Sequence, residues 1–176
     1  MGFDTTILNA LETIRSAQLT NMFMAVTFFG GAITITLLTA AVAMWLYRRG
    51  DTRLSLLFIL FNATNGLITF ILKNFLHRSR PDPLESLIQP GGFSLPSGHA
   101  SSSLLLYGMI AFLLLRTVKN PQSRFALILA SALFIFSIGV SRLYLGVHYP
   151  TDVLIGFGIG GLMLWLFIRL AKRHNR

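Results

Sequence analysis

A chain of 176 residues is long enough for one domain and no more. Apolar residues make up 53% of it and charged residues only 12%, against about 25% charged in soluble domains, so it lacks the polar shell a water-soluble core needs. The net charge is +9, but the basic residues sit in short clusters between apolar runs, not along a face interleaved with aromatics. That is the pattern of loops flanking membrane spans, and it excludes a nucleic-acid partner.

Cysteine is absent, which rules out disulfides and thiolate metal sites. The start, Met1-Gly2-Phe3-Asp4-Thr5-Thr6, lacks the basic opening of a cleavable signal peptide. Its match to a myristoylation signal rests on position 6 alone and is read as chance.

Residues 3–17 predict an amphipathic helix with Phe3, Ile7, Leu11 and Ile14 on one stripe and Leu8 beside it, while Asp4, Glu12 and Arg15 lie elsewhere. Too short and polar to cross, it is expected either to lie in the membrane interface or to pack on the ends of other helices. Five apolar segments follow: Met22–Tyr47, Leu54–Leu72, Ala100–Leu115, Phe125–Ser141 and Val153–Ile168. The last three have 16 or 17 residues, short of the roughly 20 that cross hydrocarbon. They suffice only if polar residues at one end are drawn to the membrane boundary. The expected fold is therefore all-α, a polytopic bundle of five transmembrane helices plus an interfacial helix, as a single domain over residues 1–176.

Sidedness follows from the basic residues. Arg48, Arg49, Arg53, Arg116, Lys119, Arg124, Arg169, Lys172, Arg173 and Arg176 fall on one side; Arg15, Lys73, Arg78, Arg80 and Arg142 fall on the other. Ten against five places the first side, with the C-terminus, in the cytoplasm. The outer side then carries a long polar connection, His77–Gly98, with Pro81, Pro83, Pro90, Gly91, Gly92 and Pro96. A connection of that length is usually functional.

The same side gathers the chemistry. Lys73 and Arg80 follow the second span, Ser97-Gly98-His99 opens the third, Arg142 ends the fourth, and His148 and Asp152 precede the fifth. Ionisable groups at a membrane boundary are costly and mark function. Three cations match the charge of a phosphate group, and a guanidinium grips its oxygens two at a time. The helix start at Ser97-Gly98 offers free N–H groups and a dipole that favour an anion. Two histidines can supply a nucleophile and a general acid. Asp152 lies four residues after His148, on the same helical face, where it can take one imidazole N–H and leave the other nitrogen free. Together these suit phosphoryl transfer.

Three stretches carry a family resemblance: Lys73-NFLHRS-Arg80-Pro81, then Pro96-Ser97-Gly98-His99, then Ser141-Arg142-LYLGV-His148-YPT-Asp152. Residues, spacing and order resemble the type 2 phosphatidic acid phosphatase (PAP2) family, which shares its active site with vanadium haloperoxidases. The resemblance covers a core of about 54–168. It implies that His148 attacks phosphorus and Asp152 orients it. His99 protonates the departing lipid oxygen, and Lys73, Arg80, Ser97, Gly98 and Arg142 hold the phosphoryl oxygens. It implies no metal and no other cofactor, the side-chain cations standing where magnesium stands elsewhere. The partner it implies is a lipid phosphate drawn sideways from the outer leaflet of the cell membrane: phosphatidylglycerol phosphate, undecaprenyl pyrophosphate or phosphatidic acid.

Other polar residues read more blandly. Arg78 could touch a headgroup, His77 faces solvent, and His174 lies in the cytoplasmic tail. Asn62 and Asn65 share a face with Lys73 and suit interhelical hydrogen bonding or a place in the site wall. Gly156-Phe-Gly158-Ile-Gly-Gly161 fits a dinucleotide-binding pattern but sits in an apolar span with no strand before it, so Gly156 and Gly160 are read as a helix-packing face. A lipid phosphotransferase would need the same residues and differ only in its acceptor. A phosphatase for soluble substrates would not need five spans. A lipid-binding scaffold would not need both histidines and Asp152. The sequence carries no signal of oligomeric state.

Overall fold

The structure is a computed structural model and describes residues 2–82, 86–89 and 91–172. Pro83, Pro90, Arg173, His174 and Arg176 lie outside the described residues. All regular structure among the described residues is helical: α1 (Phe3–Thr13), α2 (Ala17–Phe28), α3 (Ala32–Arg48), α4 (Thr52–Leu76), α5 (Gly98–Leu115), α6 (Pro121–Tyr144) and α7 (Pro150–Lys172). The last four are long and apolar enough to cross a bilayer. Three of them, α4, α5 and α6, start on a polar capping residue that the apolar pattern alone does not include. Asp51 caps α4 through the Leu54 N–H at 3.1 Å, and Asn120 caps α6 ahead of Pro121. Ser97 caps α5. His77, with φ of 49°, ends α4 in a left-handed turn. The spans thus reach past their apolar cores and carry the motif residues on their own end turns.

One expected element is corrected. The predicted continuous span Met22–Tyr47 is two helices, α2 and α3, bent by 43°. The break falls at Phe29-Gly30-Gly31, and two consecutive glycines are poor helix formers. Packing demands the break as well. α2 lies against α6 whereas α3 lies against α4, so the chain must change direction between partners. A Cβ on Gly30 would sit 2.6 Å from Ile138 Cγ2 and 3.0 Å from His99 Cδ2. Thr34 Oγ1 then donates to Phe28 O at 2.8 Å, bridging the break.

The amphipathic segment also shortens. α1 stops at Thr13, and Ser16 caps α2 by accepting from Leu19 N at 3.3 Å. α1 packs across α6 and α7 with Leu8 buried, while Phe3 and Ile14 stay exposed.

The bundle is built for lipid. Leu60, Phe70, Leu133, Phe136 and Leu162 face outward, because without water outside there is no gain in hiding them. The interior of the four long helices is aromatic and tightly interlocked. Phe167 meets Phe61 at 5.6 Å, Phe112 at 6.0 Å and Phe58 at 6.2 Å between ring centres, each edge to face. Serines and one asparagine tie α4 to α5. Asn65 accepts from Ser101 Oγ at 2.7 Å and donates to Ser102 Oγ at 3.2 Å. Asn62 donates to Phe58 O in its own helix and reaches Met109 Sδ at 3.9 Å.

α5 and α7 approach most closely, and Gly156 and Gly160 permit it. A Cβ on Gly156 would sit 2.6 Å from the Ser97 carbonyl oxygen, and one on Gly160 would strike the Ser101 carbonyl. Both obstacles are backbone, which cannot move aside. Gly160→Leu should therefore lower the unfolding midpoint in detergent by about 5 °C or more. Gly158→Leu should shift it by only about 1 °C, because a Cβ there meets nothing within 4 Å. Equal shifts for the two variants would show that the close helix pair is not what these glycines serve.

Candidate active site

At one end of the bundle α4 and α6 finish while α5 and α7 begin, and the break between α2 and α3 folds over them. Lys73, Arg80, Gly98, His99, Arg142 and His148 there line a pocket of about 560 Å³, closed on one side by Thr27–Thr34. Six of the eight residues predicted from the sequence thus meet in one wall.

The other two, Asp152 and Ser97, lie behind it and are wholly buried. Ser97 caps α5 at Ala100 N (3.4 Å) and gives its own N–H to Asp152 O (3.0 Å), so it ties the start of α5 to the start of α7. Gly98 follows it into the pocket wall, and a Cβ there would meet nothing within 4 Å.

His148 is 2% exposed. Its Nδ1 faces inward, 3.5 Å from Asp152 Oδ2 and 3.4 Å from Ser94 Oγ. Its Nε2 faces Arg80 Nη1 at 3.4 Å on the pocket side. Burial disfavours its imidazolium, and the charges of Arg80, Arg142 and Lys73 disfavour it further. Asp152 offsets part of this, and the imidazole pKa is pushed down to about 4. The ring is therefore neutral at neutral pH, with a lone pair available.

Asp152 is held by more than His148. Oδ2 accepts from Ser94 Oγ at 2.5 Å and from Tyr149 N at 2.8 Å, and Oδ1 accepts from Arg78 Nη1 at 2.6 Å. Three donors plus a guanidinium charge keep a fully buried carboxylate ionised and fixed in rotation.

The cations are positioned by backbone carbonyls. Arg80 donates to Gly91 O and Gly92 O at 2.9 Å each and to Val147 O at 2.6 Å. Lys73 Nζ donates to Phe93 O at 2.6 Å and Ser94 O at 3.1 Å, leaving one ammonium N–H. Arg142 donates from Nη1 to Thr27 Oγ1 at 2.5 Å, and its buried Nε has no hydrogen-bond partner among the described residues. Among the described residues no carboxylate lies within salt-bridge distance of Lys73, Arg80 or Arg142.

His99 stands in the first turn of α5, beside Gly30, its backbone carbonyl accepting from Ser103 Oγ. It lines a second cavity too. This one, about 610 Å³, runs down between α3 and α4 past Thr36, Ala40, Ala63 and Ile59, and it shares Ala32, Gly98 and His99 with the polar pocket. His99 thus sits at the junction of a cationic chamber and a groove inside the membrane-spanning region.

Several residues that build the site carry no motif signal. Ser94 is wholly buried between the first two motifs, and only its place in the proline- and glycine-rich connection hinted at it. Thr27 belongs to a predicted span. Arg78 lies in a variable stretch, and it contacts Asp152 and Asp4 rather than lining the pocket. His77 packs edge-on against Phe93, with ring centres 4.4 Å apart.

Comparison with known proteins agrees with the geometry. Residues 53–176 match the sequence model of the PAP2 superfamily. Phosphatidylglycerophosphatase B of Bacillus subtilis (strain 168) is 32% identical over 175 residues, 98% of this chain and 85% of that protein. A lipid A 4'-phosphatase of Bacteroides thetaiotaomicron is 35% identical over 112 residues, 58% of this chain but 46% of that protein. The crystal structure of a transmembrane PAP2 type phosphatidylglycerolphosphate phosphatase from Bacillus subtilis superposes with a TM-score of 0.88 at 29% identity, covering 97% of this chain and 85% of that one. The match spans most of the chain and the whole of the site, and this multi-pass membrane protein belongs to the PAP2 superfamily.

Proposed function

We propose that this protein hydrolyses the terminal phosphate of a lipid phosphate or pyrophosphate through a phosphohistidine on His148. The observation that carries the reading is the convergence of Lys73, Arg80 and Arg142, without carboxylate partners among the described residues, on a pocket into which a neutral imidazole nitrogen points. A cluster of like charges in a buried wall is unfavourable unless an anion completes it. A phosphoryl group supplies that charge and the oxygens to accept the unused donors.

In the first step the His148 Nε2 lone pair attacks phosphorus and the bond from phosphorus to the lipid oxygen breaks. His99 gives the departing oxygen its proton. In the second step water attacks phosphorus and gives a proton to His99, the P–N bond breaks, and inorganic phosphate leaves. Lys73, Arg80, Arg142 and the Gly98 N–H hold the charge that builds on the equatorial oxygens, which is where such sites gain most of their rate. This arrangement needs no metal ion. Asp152 keeps Nδ1 protonated and the ring oriented.

The position of His99 supports a lipid leaving group. With the phosphate among the cations, a group departing past His99 lies in the groove between α3 and α4. Its hydrocarbon can reach that groove from the bilayer without crossing water. The relatives named above act on a phospholipid phosphate and a lipid A phosphate, both ending in phosphate on an apolar anchor. The ten-to-five basic asymmetry supports a site facing outward and a cytoplasmic C-terminus.

Replacing either histidine tests this reading. His148→Ala should abolish phosphate release and leave no covalent phosphoenzyme on phosphatidylglycerol phosphate, undecaprenyl pyrophosphate and phosphatidic acid alike. His99→Ala should lose most lipid turnover yet still cleave an activated aryl phosphate, whose leaving group needs no proton; a phosphoenzyme trapped on His148→Ala would overturn the assignment.

Attack requires neutral His148. Its lowered pKa, about 4, should keep kcat/KM for that aryl phosphate level from neutral pH down through 6.5, once corrected for the substrate's own ionisation. The acid limb should appear only near pH 4 to 5, and a limb at 6.5 would mean that the attacking group is not this buried imidazole.

The chain has no native cysteine, so single-cysteine variants report topology. An impermeant thiol reagent on intact cells should label Gln89→Cys and spare Lys119→Cys, and the reverse pattern would refute the outward-facing site.

A further inference from the structure

α1 lies at the motif end of the bundle, ahead of residues 53–176 that match the family, and its single first-turn acid is turned inward. Asp4 Oδ1 accepts from Thr151 N at 3.0 Å, and Oδ2 accepts from Thr151 Oγ1 and from Arg78 Nη2 at 2.7 Å each. Arg78 in turn donates from Nη1 to Asp152 Oδ1 at 2.6 Å and to Thr151 Oγ1 at 2.7 Å, with its guanidinium carbon 4.3 Å from the centre of the Tyr149 ring. A row of alternating groups, His148–Asp152–Arg78–Asp4, therefore runs from the pocket to the N-terminal helix. We infer that Asp4 is a positioning residue for the His148–Asp152 pair, acting through Arg78 and Thr151.

A simpler role for Asp4 is to favour the α1 N-terminus electrostatically. That role would be met by a carboxylate pointing into water. Here both oxygens are committed to neighbours 74 and 147 residues away in the chain, and Thr151 directly precedes Asp152 in the first turn of α7. Burial works against the Asp4 charge, yet the Thr151 bonds and Arg78 hold its carboxyl below the usual range. Asp4 and Asp152 together raise the Arg78 guanidinium. The shared guanidinium has one fork on each carboxylate. Without Asp4, its second fork is loose and Asp152 loses the brace that fixes Oδ1. A shift of about 1 Å in a group that orients a nucleophile costs on the order of 10² in rate, and loosening one brace while Ser94 and Tyr149 still hold Asp152 costs less. The pocket wall and its cations are untouched by the change.

This inference rests on the reading of His148 as nucleophile, and the experiment separates the two. Turnover of whichever of the three lipid phosphates the wild type cleaves fastest is measured in detergent micelles for Asp4→Asn, Asp4→Glu, Arg78→Gln, the Asp4→Asn/Arg78→Gln double variant and His148→Ala. Asp4→Asn should lower kcat on the order of 10-fold with KM within about 2-fold, and Asp4→Glu should recover part of the loss. The double variant should lose less than the two single losses combined, because Asp4 acts in part through that side chain. Should Asp4→Asn fail to fold, Thr151→Val removes the shared hydroxyl and should show the same fall in kcat. An unchanged kcat, a change in KM alone, or additive losses in the double variant would overturn the inference. Full activity in His148→Ala would instead overturn the functional reading beneath it.

Discussion

An ionised carboxylate is among the costliest groups to hold at a membrane boundary, and Asp152 is held there with no exposure. Its stabilisation requires donors from separate parts of the chain: Arg78 and Ser94 from the two ends of the long connection and Tyr149 from the turn before α7. Its own carbonyl accepts the Ser97 N–H and so locks the start of α5 beside the start of α7. Satisfying this one residue brings together groups that the sequence separates by up to 74 positions. Among the described residues of this connection, carbonyls of Gly91, Gly92, Phe93 and Ser94 hold Arg80 and Lys73, while the side chains of Arg78 and Ser94 hold Asp152.

The pocket carries the opposite problem. Lys73, Arg80 and Arg142 are aimed by carbonyls of Phe93, Gly91, Gly92 and Val147 and by the Thr27 hydroxyl. Carbonyls and hydroxyls orient a cation without neutralising it. Asp152 is already paired with Arg78, so the charge of the wall is left for a ligand. Uncompensated charge of this kind costs folding free energy unless an anion completes it. Burial and the same charges keep His148 neutral, so its Nε2 on the pocket side carries a free lone pair.

Close helix contact sets the dimensions of the site. Gly156 and Gly160 let α7 reach the backbone of α5, which sets the distance between Asp152 and the His99 turn. Gly30 does the same on the opposite side, letting the break of α2 and α3 close on His99. In a bilayer, where hydrophobic burial does not drive helices together, such small-residue contacts supply the packing.

The sequence by itself determined the class of the protein and pointed to most of the groups that meet in the pocket. Composition and apolar runs fixed a helical membrane bundle because unsatisfied backbone cannot sit in hydrocarbon. The three motifs singled out His99, His148 and Asp152 with the cations because ionisable groups at helix ends are costly at a membrane boundary, and folding gathers them at one end of the bundle. Tertiary structure alone decided the rest. The Met22–Tyr47 run is uniformly apolar, and only packing of α2 on α6 and α3 on α4 reveals why it must bend at Gly30-Gly31. Ser94, Thr27 and Asp4 are short polar side chains whose identity says nothing at a distance. They matter because folding places a serine 58 residues from Asp152, a threonine 115 residues from Arg142 and an acid 147 residues from Thr151 within hydrogen-bond reach. Spacing along a chain reveals groups that share a turn of helix, but a buried charge is stabilised by whatever the fold brings to it, and those partners have no fixed spacing.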